Sequence, residues 1–367
     1  MVSDSTLRRG LIVGNYCHDV LLRDSLLLAH TLGGAPSFIT PILDSLSLPF
    51  HLISKVGPDF PFSPTHPPLV IPTSHTTLFH AHFGSSLPDR VLNRVAACDP
   101  IAPADLPTGS RFAFGLAVGV AGEILPETLE KMVEICDVVF VDVQGLIRRF
   151  DGEDGRVRHV GLRESGFFHL LPRIGFLKAS EDEAEFVDVE EVRRWCCVVV
   201  THGKDGCEVF WKDGGLRVDP FGADQVDPTG AGDCFLGGFA AGIVKGLAVA
   251  DAALLGNFFG SLAVARVGPP ALDSSLFQMV KDEIHKRKGQ DLPCSERRDE
   301  RLGFQKPPDQ DQFYASLDAA KDIIMCQIQE SGWNILSSPK GLEQNHVKGL
   351  SLNPFHDESI TSVNGEP

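Results

Sequence analysis

The 367-residue chain has no run of about eighteen consecutive apolar residues, the length a helix needs to cross a bilayer, so no membrane span is expected. Its first ten residues hold no apolar signal-peptide core, and Asp4 does not suit a transit peptide. A cytoplasmic protein is the expectation. Nine cysteines are present, but none forms a Cys-x-x-Cys pair, so zinc-ribbon and thioredoxin-type chemistry lack their spacing. Buried free thiols are expected at Cys17, Cys98, Cys136, Cys207, Cys234 and the adjacent Cys196 and Cys197. Basic charge is short: 33 Lys and Arg stand against 49 Asp and Glu, a formal net charge of −16. Nucleic-acid binders normally present a basic face, so nucleic acid is not an expected partner. A nucleotide is not excluded, because backbone N–H groups, a few lysines and Mg²⁺ hold phosphate in an acidic protein. There is no internal repeat and no Walker A string.

What the chain does have is 43% hydrophobic and 22% charged residues, enough to bury a large core. Over about the first 270 residues, β-rich runs alternate with helical patterns, which predicts an α/β fold with a mostly parallel sheet flanked by helices. Strands are predicted over 11–15, 50–56, 112–120, 137–143, 174–178, 197–201 and 207–211. Several are continuous apolar runs, as strands covered on both faces are. Helices are predicted over 36–46, 126–136, 232–245 and 250–267, the first two opened by a proline. Residues 58–106 differ: they are rich in Pro, His and Ser and alternate along 77–83, as short strands of an appended β lid would. His75, His80 and His82 fall there, but a half-exposed strand accounts for the alternating pair, and two histidines across one strand do not complete a metal site. The expected organisation is one domain over 1–290, with lid strands inside 15–35 and 58–106. A C-terminal tail over 291–367 is expected to be largely irregular or disordered, apart from a helix near 315–329.

Residues 225–233 read Gln-Val-Asp-Pro-Thr-Gly-Ala-Gly-Asp and open a predicted helix. Small residues there let backbone N–H groups approach a ligand, and those groups lie at the positive end of the helix dipole. Asp233 beside such an anion cradle would be repelled by phosphate unless it had work there. Taking a proton from a hydroxyl that attacks a γ-phosphate is work that fits. Capping is the plainer role for Asp227 or Asp233.

The string resembles the Asp-Thr-x-Gly-Ala-Gly-Asp motif of the ribokinase-like, PfkB-type carbohydrate kinases. That resemblance implies a ribokinase-like fold, Asp233 as catalytic base, and Gly230, Ala231 and Gly232 as an anion hole for the phosphoryl group of ATP, with Mg²⁺ as cofactor. Other segments resemble the family in chain order. Gly33 and Gly34 stand for its N-terminal Gly-Gly, and Asn15 and Asp19 for its substrate-binding side chains. Lys178-Ala-Ser180-Glu181 stands for its Asn-x-x-Glu, with Glu181 reaching Mg²⁺ through water, no direct protein–metal bond, and Lys178 and Ser180 toward phosphate. Thr201, Gly203 and Gly206 form its nucleotide turn, and Asn257 lies near adenine. Lys178 departs from the family's Asn, and Pro61 replaces the last Gly of Val-Gly-x-Asp-x-Phe-Gly. Asp142, Gln144 and Arg148 lie where many relatives carry Asp-x-Asn-x-Arg, with their roles open. The wording of 13–20, 170–180 and 225–233 is most similar to the plant myo-inositol kinases of the family. Three readings follow: a polyol kinase, a sugar or nucleoside kinase, or a nucleotide-binding regulatory relative without turnover.

Overall fold

The computed structural model describes residues 9–24, 26–83, 91–212, 214–270, 272, 275–287 and 306–330. An eight-stranded sheet runs in the order Gly214–Val218, Cys207–Trp211, Cys197–Thr201, Phe176–Ser180, Val139–Asp142, Phe114–Ala117, Gly10–Val13, Phe50–Ile53. The six strands from Cys197–Thr201 onward are mutually parallel, and Cys207–Trp211 runs antiparallel to both its neighbours. Alternation along each strand feeds two apolar layers. Phe140 and Phe176 point into one, with the helices Ala35–Ser45, Ala231–Lys245 and Val249–Val264. Val139, Val141 and Leu177 point into the other, with the helix Pro126–Ile135. Successive side chains on a strand face opposite ways, so a continuous apolar run is what a doubly covered strand requires.

A second sheet orders Leu26–Gly33, Cys17–Arg23, Thr77–Phe83 and Val91–Ala96 side by side. The first two strands fall inside 15–35 and the other two inside 58–106. Asp19 pairs with Thr31 on one side and Phe79 on the other, whereas His30 and His80 flank Val20. Alternation therefore puts Asp19 and the histidines on opposite faces. His18 and His30 share a hydrogen bond of 2.8 Å between their rings. The seven cysteines expected to be buried thiols are all free and buried.

The tail needs a correction. Residues 310–330 were read as irregular in their first part, yet one helix spans Gln310–Glu330 and is docked on the domain. Phe313, Leu317, Ala320 and Ile324 are buried in the same apolar layer as Phe258 and Phe277. Gln310 Nε2 donates to Asp251 Oδ1 at 3.0 Å, and Arg287 Nε donates to Asp251 Oδ2 at 2.8 Å. The apolar residues recur at spacings of three and four, a stripe that a polar-looking sequence conceals. Residues 291–305 and 331–367 lie outside the described residues.

Phe313 is fully buried, so Phe313→Ala should cost about 3–5 kcal/mol of unfolding free energy in a denaturant titration of the whole chain. A loss below about 1 kcal/mol would mean that the helix is not part of the cooperative core.

Candidate active site

Gly230 stands at φ +77° and caps the helix Ala231–Lys245, turning the chain so that the first helical amides face outward. Only glycine takes that angle without strain. Asp233 follows in the first turn, half-buried, and accepts a hydrogen bond of 3.2 Å from Gln144 Nε2 on Oδ1. Burial, and then the Asp142 carboxylate, push its carboxyl up to about 7, against the pull of Lys178 and Arg148. A carboxyl held there is poised to take a proton near neutral pH.

Asp142 and Lys178 are partners across adjacent parallel strands. Lys178 Nζ donates to Asp142 Oδ2 at 3.1 Å and lies 4.0 Å from Glu183 Oε2. Burial alone would lower the lysine, but Asp142, Glu183 and Asp233 hold it above its ordinary range. Burial alone would raise Glu183, but Lys178 and Arg148 hold it below the usual carboxylate range. Lys178 Nζ sits 2.8 Å from where a Cβ on Gly232 would be. The absent side chain is what admits an ammonium to the Gly230–Gly232 turn.

Glu181 is not in this cluster. Its side chain is 71% exposed, with Oε1 3.5 Å from His202 Nδ1, and the buried acid of the segment is Glu183. Ser180 caps the short helix Glu181–Ala184: its Oγ accepts from Glu183 N at 3.3 Å, and Glu183 Oε2 accepts from Ser180 N at 2.9 Å. That capping box orients Glu183 toward Lys178. Thr201 ends its strand, and His202 N donates to Gly206 O at 2.8 Å, closing the turn that holds Gly203. Asn257 lies in the helix Val249–Val264. Its amide donates to Val218 O at 3.2 Å and Asp219 O at 2.9 Å, so it clamps a loop through the backbone.

At the other end Asp19 lies over the bare Cα of Gly33, its Oδ2 2.1 Å from where a Cβ would stand. Gly34, at φ +82°, packs the same way on the backbone of Asn15. Asn15 is buried; its Oδ1 accepts from Lys55 N at 2.8 Å, its N donates to Glu123 Oε1 at 3.1 Å, and its Nδ2 has no partner among the described residues. Gly34 caps the helix Ala35–Ser45, and Phe38 on that helix packs against Gly230. Asp19, Glu123 and Asp233, after burial itself, all act on the thiol of Cys17 and push it up. Asn15, Asp19, Gly33 and Gly34 are thus joined to the Gly230–Asp233 cradle. Sequence reasoning missed Glu123 and Glu183, and it left Asp142, Gln144 and Arg148 without roles. The Asp142-Val143-Gln144 pattern was the signal for the last three, and Glu123 left none.

Residues 164–274 match the model of the pfkB family carbohydrate kinases. The inositol 3-kinase of Arabidopsis thaliana is 60% identical over 288 residues, 77% of this chain and 81% of that protein. That of Oryza sativa is 50% identical over 335 residues, 87% of this chain and 84% of that protein. This chain belongs to the pfkB family of carbohydrate kinases. Solved structures carry the same fold at low identity. A pyrophosphate-dependent ribokinase-family kinase complexed with a pyrophosphate analog and myo-inositol superposes with TM-score 0.60 at 19% identity, covering 72% of this chain and 98% of that one. The nucleoside kinase of Methanocaldococcus jannaschii gives 0.57 at 18%, covering 76% and 97%. The pfkB assignment agrees with the sheet order and with a site at the carboxyl ends of its strands. Among the described residues no helix is long and apolar enough to cross a membrane.

The raised Asp233 carboxyl makes two pH predictions. If Asp233 is the base it must be ionised to act, so kcat/KM should fall as pH drops through about 7. Its folded value lies above the ordinary 3.8, so the folded state disfavours the charge; that cost is absent below 3.8 and complete above about 7. Asp233→Asn should therefore raise the melting temperature above pH 7 and leave it unchanged near 3.8. Equal melting temperatures at the alkaline end would show that Asp233 is not held out of water.

Proposed function

We propose that the chain transfers the γ-phosphate of ATP to a hydroxyl of myo-inositol, forming inositol 3-phosphate, with Asp233 as the general base. The observation that carries this reading is the placement of Asp233, beside the Lys178 ammonium, on the helix turn that starts at Gly230. The names of the relatives at 50–60% identity support the acceptor. In this reading the γ-phosphate rests on the amides of Gly230, Ala231 and Gly232 and against Lys178. Asp233 takes the hydroxyl proton, the oxygen attacks phosphorus in line, and ADP departs, leaving a phosphomonoester. Lys178 carries part of the charge that an Asn in its place would leave to the metal.

Among the described residues no group of three His, Cys, Asp or Glu side chains is arranged to hold a metal. Asp142 and Glu183 are engaged by Lys178, so the exposed Glu181 fits Mg²⁺ best, through water. Bound with the donor, Mg²⁺ would neutralise phosphate charge. In this reading the acceptor ring donates its hydroxyls to the Asp19 carboxylate and hydrogen-bonds with the Asn15 amide and the backbone at Gly33 and Gly34. A regulatory relative without turnover would have no use for a base beside its anion cradle.

Purified chain with ATP should phosphorylate myo-inositol far faster than ribose, fructose or adenosine, since a site built for hydroxyls rejects an analogue lacking one by about 10⁴-fold. Faster turnover of adenosine or ribose would sink the acceptor assignment. Asp233→Asn should lower kcat by about 10²–10⁴-fold with ATP binding retained. Retention of half the wild-type kcat would remove Asp233 as base. Asp19→Ala should raise KM for the polyol and leave KM for ATP nearly unchanged.

A further inference from the structure

Residues 219–222 join the last strand of the sheet to the segment that leads into Asp227 and the Gly230 turn, and they are neither helix nor strand. Side chains from two separate helices hold them. Asn257 donates to Val218 O and Asp219 O at 3.2 and 2.9 Å. From the C-terminal helix, the Tyr314 hydroxyl donates to Pro220 O at 3.0 Å, and the Lys321 ammonium donates to Gly222 O. The Tyr314 ring stacks on Phe221 with centroids 4.5 Å apart and planes 4° from parallel. A backbone segment with three of its carbonyls taken by side chains, and its aromatic ring stacked, has one conformation open to it.

That conformation is felt on both sides. Gly206, at φ +88°, packs so closely on the loop that a Cβ there would lie 2.2 Å from Val218 O and 3.0 Å from Pro220 N. The Thr201–Gly206 turn therefore leans on residues 218–220. A few residues downstream, Val226 N and Asp227 N both donate to Val264 O, at 2.7 and 3.1 Å, and the chain enters the phosphate cradle. The C-terminal helix is anchored independently, through Asp251 and the buried Phe313, Leu317 and Ile324.

We propose that the C-terminal helix Gln310–Glu330 is a positioning element for the phosphate donor: Tyr314 and Lys321 pre-form residues 219–222, the floor on which the Gly203–Gly206 turn and a nucleoside triphosphate rest. The inference rests on the reading of that turn as the nucleotide end of the cleft. Neither side chain is a catalytic residue. A loop ordered beforehand need not be ordered by the ligand, so its loss weakens donor binding and leaves the acceptor end, on the far side of the cradle, alone.

The test is steady-state kinetics of the full chain with ATP and myo-inositol, for wild type, Tyr314→Ala, Tyr314→Phe and Lys321→Met. Loss of pre-organisation should raise KM for ATP by about tenfold in Tyr314→Ala and less in Tyr314→Phe, which keeps the stack. KM for the polyol and kcat at saturating ATP should stay within about twofold of wild type, because nothing at the acceptor end is touched. A fall in melting temperature with both KM values unchanged overturns the proposal, and so does a rise in both. Should Tyr314→Ala fail to fold, Lys321→Met reads the same split. If wild type does not turn over myo-inositol, the proposed function fails by itself. Calorimetric ATP affinity then decides this inference: weaker binding in the variants supports it, and equal binding overturns it.

Discussion

Asp142 and Lys178 stand side by side because two parallel strands pair in one register, and that register follows from apolar alternation. Phe140 and Phe176 pair in one layer, Val141 and Leu177 in the other, and the next pair along is the carboxylate and the ammonium. A slip of one residue would turn every apolar side chain to the wrong face. The core thus fixes the ion pair to within a strand's rise. Burying two charges is costly, and such a pair seldom adds net stability. Its value here is positional. It holds a cation against Gly232 that solvent could not keep there, and it sets the field in which Asp233 titrates.

The topology places Asn15 and Glu123 by the same logic. From Gly10–Val13 the chain moves to Phe50–Ile53 on one side, then crosses to Phe114–Ala117 on the other. The crevice where strand order reverses opens at the carboxyl ends of Gly10–Val13 and Phe114–Ala117, the general ligand position in open α/β sheets. Asn15 lies just past the first and Glu123 past the second, and the hydrogen bond between them spans that crevice. Glu123 also accepts from Val120 N and Ala121 N at 3.1 and 2.7 Å, so a buried carboxylate organises the loop. No local pattern announces it, because its partners are backbone amides brought together by a crossover.

Residues whose environment is local were legible in the sequence. The glycine turn at Gly230, the helix after it and the two-faced strands follow from spacing alone. Cys197–Thr201 and Cys207–Trp211 were bounded as they occur, since their apolar runs end in turn residues. Glu183 was not legible, because it differs from Glu181 only in which side of one helical turn faces Lys178. A mid-helix Asn marked Asn257 as a residue with a job, but its hold on the backbone at Val218 and Asp219 depends on a loop remote in sequence and was not legible. The C-terminal helix was hidden for a different reason. Its apolar stripe is diluted by polar residues and gains meaning only against Phe258 and Phe277, far off in sequence.

An acidic chain that binds an anion must solve a local problem that its net charge poses globally. With a formal charge of −16, the long-range field opposes a nucleoside triphosphate. Within about a Debye length that field gives way to what is near, so fixed groups at contact distance decide binding. In the proposed reading those groups are the amides after Gly230, which carry partial charge without a counter-ion, and the ammonium of Lys178. Asp233 sits among them, accepting a hydrogen bond from the Gln144 side-chain amide and raised by burial and by Asp142. While it is protonated, the cradle meets an incoming phosphate with less repulsion. In the proposed reaction only the ionised form of Asp233 could take the hydroxyl proton. The two demands, admission of the anion and removal of the proton, oppose each other, and a carboxyl near neutrality is the compromise between them.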